Sequence, residues 1–62
     1  MDDTDAPAKL TLFPFAGGWH ILDGDKPTFW FPRKDRALET AELIAESRVR
    51  YFDRKTIVEI HD

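Results

Sequence analysis

The sequence predicts an α+β fold: a small antiparallel sheet in β-β-β-α-β order, with one helix packed on one face. Three observations carry this. Short runs rich in Leu, Phe, Trp and Ile are separated by glycine turns at Ala16-Gly17-Gly18 and Asp23-Gly24. After Pro32 the apolar spacing changes from every second residue to every third or fourth. A second alternating run, Thr56 to His61, follows.

Residues 1–8 include Asp2, Asp3 and Asp5 and carry no apolar periodicity, so they are expected to form a disordered acidic tail. Residues 9–62 form the single domain. Lys9 to Phe15 reads as the first strand, with Leu10 and Leu12 on one face and Thr11, Phe13 and Phe15 on the other. Pro14 has no N–H to give, so this strand lies at an edge or turns that position outward. Trp19 to Leu22 is the second strand. Asp23 to Pro27 is the turn, and Thr28 to Phe31 is the third strand, ended by Pro32.

From Asp35 to about Arg50, apolar residues recur at Ala37, Leu38, Ala41, Ile44, Ala45 and Val49, which is the stripe of an amphipathic helix. Asp35 is the expected N-cap. Leu43 falls off the stripe, either as an isolated surface leucine or as part of a subunit contact. Asp53-Arg54-Lys55 is the expected turn into the last strand.

Length and composition narrow the function. Sixty-two residues make one domain. A chain this small buries only about 60% of its unfolded surface, and its eight aromatics, Phe13, Phe15, Trp19, Phe29, Trp30, Phe31, Tyr51 and Phe52, are expected to supply the core. Little room is left for an enclosed substrate pocket. With no cysteine, disulfides and thiolate chemistry are excluded. No apolar run exceeds three residues, so no transmembrane helix is expected. The start, Met1-Asp2-Asp3-Thr4-Asp5, has neither the basic nor the apolar region of a signal peptide, and the expectation is a cytoplasmic domain. The net charge of −3 equals the contribution of the first three aspartates; from residue 6 onward nine acidic residues balance nine basic ones. That balance lacks the basic excess typical of nucleic-acid binding.

Residues 17–45 contain Gly-Gly-Trp, a hairpin through Asp23-Gly24, an aromatic strand, a basic step at Arg33-Lys34 and a helix with Ala37 and Ala41. This stretch resembles the small bacterial domains of unknown function of the DUF2188 type. The chain differs from them at Pro32-Arg33 and at its final Ile60-His61-Asp62. The resemblance implies the fold and no activity, because that family has none assigned. The β-β-β-α signature is also similar to the AP2-like arm-site domains of phage-type integrases, which lay a three-stranded sheet into the major groove. In this sequence Trp19–Leu22 and Thr28–Phe31 contain no Arg or Lys.

Strand parity supplies the candidate sites. It places Trp19, Ile21, Phe29, Phe31, Val58 and Ile60 under the helix, and His20, Leu22, Trp30, Glu59 and His61 on the open face. Trp30 beside Leu22 and His20 is a candidate protein contact, with Leu43 as a further one; the alternatives for Trp30 are a half-covered tryptophan and base stacking. Lys26, Arg33, Lys34 and Arg36 are the candidate anion or nucleic-acid contacts. His20, His61 and Glu59 fall short of a readable metal or acid–base spacing and read as surface groups. No catalytic residue, metal or cofactor is assigned. The expected function is a non-enzymatic interaction module, self-associating through the open sheet face or an edge strand. The alternative is a nucleic-acid-binding accessory domain.

Overall fold

A computed structural model describes residues 8–62. The expected tail lies outside that range except for Ala8, which opens the first strand. The elements are β1 (Ala8–Phe15), β2 (Gly18–Asp23), β3 (Lys26–Phe31), α1 (Lys34–Phe52) and β4 (Thr56–Ile60). The strands form one sheet in the order β3-β2-β1-β4, with α1 packed on one side. Among the described residues no helix is long and apolar enough to cross a membrane.

The sheet is mixed, where a purely antiparallel one was expected. β1 pairs antiparallel with β2, and β2 with β3, but β4 runs parallel to β1. The reason is topological. Two hairpins make β1 and β3 point the same way, and one helix returns the chain to the starting end. The next strand therefore runs with β1.

Pro14 is accommodated in a central strand. It faces Trp19 of β2, whereas pairing with β4 extends only to Leu12. Its missing N–H thus points beyond the end of the β4 ladder. Both hairpin turns are tighter than expected. Ala16 and Gly17 form a two-residue turn with φ of 53° and 79°, the left-handed pair that matches strand twist. Gly18 belongs to β2. The second turn is Gly24-Asp25, between the paired Asp23 and Lys26. In β3, Thr28 is an extra residue in the β2 register, and its hydroxyl donates to the Ile21 carbonyl at 2.8 Å.

The core is aliphatic, contrary to the expectation that aromatics supply it. Leu10, Leu12, Ile21, Ala37 and Ala41 are fully buried, with Trp19, Phe31, Leu38, Ile44 and Val58 packed around them. Phe15, Phe29, Trp30, Tyr51 and Phe52 are exposed. The helix touches all four strands but closes tightly only over Leu10, Leu12 and Ile21 of the two central ones, and the alanines at its contact let it lie close. The larger side chains are left at the edges and on the far side.

α1 shows two further differences. The stripe ends on Arg48, not on Val49, which is exposed. At 3.6 residues per turn, Arg48 lies about 20° from Ala37 around the helix and Val49 about 120°. Arg48 grips Asp23 with two hydrogen bonds, at 2.6 and 3.2 Å. The N-cap is Arg33, without a side-chain capping bond. Asp35 lies in the first turn, where its carboxylate accepts the Arg36 N–H at 2.9 Å and opposes the positive helix end. At the other end Asp53 takes the left-handed position (φ 51°), and both it and Arg54 donate to the Arg48 carbonyl.

Candidate functional site

Among the described residues no element covers the side of the sheet away from α1. Alternation along each strand places Lys9, Thr11, Phe13 and Phe15 of β1 there, with His20 and Leu22 of β2, Trp30 of β3, and Ile57 and Glu59 of β4. Phe13, His20 and Trp30 lie side by side across three strands. The His20 ring sits 5.5 Å from Phe13 and 5.6 Å from Phe15, tilted against both, and the two phenylalanines meet edge-on at 6.1 Å. Thr11 is buried on this face, shielded between its cross-strand neighbours Leu22 and Glu59, as is Gly18 beneath Trp30.

Trp30 is held in place. Its indole N–H donates to the Phe15 carbonyl at 2.8 Å, tying β3 to the first hairpin. The ring lies over Gly18, where an added Cβ would collide with the indole and with the Phe31 carbonyl. Gly18 is therefore required by close approach rather than by its φ. Trp30 still exposes 44% of its surface and Phe15 54%. The result is an aromatic patch whose largest member cannot swing away.

The β4 side of this face is polar. Glu59 lies 3.5 Å from Lys9 and 2.9 Å from His61. The His61 hydrogen bond, then the Lys9 charge, hold its carboxyl below the usual carboxylate range. Among the described residues no three His, Cys, Asp or Glu side chains converge as metal ligands would.

The structure brings Trp30, His20 and Leu22 together and keeps Leu43 apart. Leu43 lies on α1, across the sheet from them, beside a shallow hollow lined by Glu46, Ser47, Arg50 and Tyr51. The basic candidates also divide. Lys26 opens β3, and Arg33, Lys34 and Arg36 follow its other end, about 17 Å away along the strand. Arg33 is paired to Asp35 at 2.8 Å, and Lys34 reaches Asp62 at 3.0 Å while lying 5.0 Å above the Trp19 ring. Both cations are therefore already engaged locally.

Sequence reasoning missed Phe13 and Phe15 as site residues. Their signal was present: they oppose Leu10 and Leu12 in the alternation, so burying the leucines turns the phenylalanines outward. It also missed an open hollow of about 450 Å³ lined by Ala8, Asp23, Arg48, Phe52 and Arg54. There the Arg48 hydrogen bonds hold the Asp23 carboxyl below its ordinary range. No local pattern joins residues so far apart in the chain.

Comparison of the chain with family models, with curated proteins and with solved structures gives no match. The geometry of this face is therefore the ground on which a function is argued.

Proposed function

We propose that the chain is a non-enzymatic binding module whose open sheet face is the contact surface for a protein. One observation carries this reading: Phe13, Phe15, His20 and Trp30 form a contiguous aromatic patch, half-buried at Phe13 and His20 and exposed at Phe15 and Trp30, and Trp30 is held at its β3 side by Phe15 and Gly18. Rigid, half-exposed aromatics lose little side-chain freedom on binding and bury a large area, which makes them strong protein contacts. The resemblance to the DUF2188-type domains belongs to the same proposal and adds no activity to it.

Base stacking on the same aromatics is the competing reading. It needs cations to neutralise phosphates. Among the described residues the open face offers Lys9, which is engaged by Glu59, and a single unengaged cation, Lys55, at its β4 edge, while the Arg33–Arg36 cluster lies past the end of β3. The charge arrangement favours protein over nucleic acid.

Differential capture tests the proposal. Immobilised wild-type chain, Phe15→Thr and Leu43→Ser are each exposed to the same protein mixture. Proteins retained by wild type and Leu43→Ser but lost by Phe15→Thr are the expected result. Identical retention by all three would refute the open face as the contact surface. Titration with single-stranded oligonucleotides at low salt, followed by tryptophan fluorescence, is expected to show no binding; a salt-sensitive signal would favour stacking instead.

A further inference from the structure

The two edges of the sheet are built differently. β3 is blunted for further pairing: it begins with Lys26 and Pro27, and Thr28 bulges from its ladder. β4, Thr56-Ile57-Val58-Glu59-Ile60, has no proline, no bulge and one charge. Its backbone polarity can be read from the bonds at its two ends. The Ala8 N–H donates to the Lys55 carbonyl at 3.0 Å, and the His61 N–H donates to the Leu12 carbonyl at 2.8 Å. Odd-numbered residues therefore face β1. The N–H and C=O groups of Thr56, Val58 and Ile60 point away from the sheet, along an edge where no other strand of the described residues lies.

We propose that β4 is the pairing edge for a second copy of this chain, the two β4 strands meeting antiparallel about a two-fold axis at Ile57. The side-chain pattern selects both the partner and the register. Ile57 and Glu59 alternate onto the open face, and Lys55, which directly precedes β4 and whose carbonyl accepts from the Ala8 N–H, has the same parity. With the axis at Ile57, Lys55 faces the partner's Glu59, Ile57 faces the partner's Ile57, and Glu59 faces the partner's Lys55. The positive–apolar–negative order is thus its own complement in an antiparallel pair. Moving the axis to Glu59 would oppose two carboxylates. Moving it to Val58 would set Ile57 against a carboxylate. In the chosen register the outward groups of Thr56 and Val58 meet those of the partner's Val58 and Thr56, the hydrogen-bonded arrangement that antiparallel strands require. Ile57, 43% exposed in the single chain, would be covered. Lys55 has no ion-pair partner among the described residues, so it is available to the second copy.

The pairing extends two four-stranded sheets into one. Both helices then lie on one side and both aromatic patches on the other. This inference uses the edge of the sheet and stands independently of the use of its face.

Sedimentation equilibrium over a broad concentration series is the test, on the full chain of 7.2 kDa. The wild type is expected to double its mass with concentration. Lys55→Glu, which opposes carboxylates at two symmetric positions, should weaken the dimer about tenfold or more. The double variant Lys55→Glu with Glu59→Lys should recover it, because the reversed pattern is again self-complementary. Ile57→Lys places like charges on the axis and should dissociate the dimer without touching the buried core. Phe15→Thr should leave the mass unchanged. A monomer at every concentration would overturn the proposal, as would a dimer indifferent to both Lys55→Glu and Ile57→Lys. A dimer broken by Phe15→Thr alone would mean that the copies meet through the open face.

Discussion

One side of the sheet carries Leu10, Leu12 and Ile21 beneath Ala37 and Ala41, with exposures of 0–1%. The other carries Phe13, Phe15, His20 and Trp30, of which Phe15 and Trp30 remain about half exposed. Each side carries three of the sheet's large aromatics, Trp19, Phe29 and Phe31 toward the helix and Phe13, Phe15 and Trp30 on the open side, yet large side chains are fully buried only beneath the helix. The difference shows that in so small a chain the covering element, not side-chain apolarity, decides what becomes core. A single helix with alanines at its contact excludes water from a narrow aliphatic strip. It has no second layer to offer the other face, and the aromatics there are fixed to each other and to the backbone instead.

The comparison can be broken at several points, which differ in size. Leu12→Ala removes a fully buried side chain from the helix side and is expected to cost about 2–4 kcal/mol. For a domain of this size that consumes most of the stability, and a shift of the urea midpoint toward zero denaturant would show it. Gly18→Ala attacks the open side where it is packed. The new methyl meets the Trp30 ring and the Phe31 carbonyl, so a loss of about 1–3 kcal/mol is expected in thermal unfolding. Trp30→Phe is gentler. It keeps a ring and deletes the hydrogen bond to the Phe15 carbonyl, for an expected loss of about 1 kcal/mol.

The smallest effect sharpens the helix side. Arg48→Met removes the grip on Asp23 and should cost about 1 kcal/mol at neutral pH, because the pair is only partly buried. The Asp23 carboxyl is held below its ordinary range, so the pair stabilises the fold fully above the unfolded value of about 3.9. That contribution is lost as pH falls through the lower folded value. Unfolding measured from neutral to strongly acid pH should therefore show wild type and Arg48→Met converging in acid. A gap that stays constant would contradict this role for the pair.

Much of this architecture was legible in the residues. The change of period after Pro32 located the helix, and alternation put Trp30 and Ile21 on opposite faces. The direction of β4 required topology: that β1 and β3 run alike follows from two hairpins, not from any residue of β4. Apolarity marked the aromatics as material for burial but could not say that no described element would cover Phe15 or Trp30. The Arg48–Asp23 link joins residues 25 apart in sequence, and helix geometry alone explains why Arg48 rather than Val49 ends the stripe.

The most direct test of the contrast between the two faces is urea unfolding of Phe15→Thr beside Leu12→Ala. Threonine keeps the β preference and removes the ring from the open face. If that face is a surface and not a second core, Phe15→Thr should lower stability by no more than about 1 kcal/mol, while Leu12→Ala loses at least twice as much. Equal losses in the two variants would contradict the account and make the aromatic face part of what folds the chain.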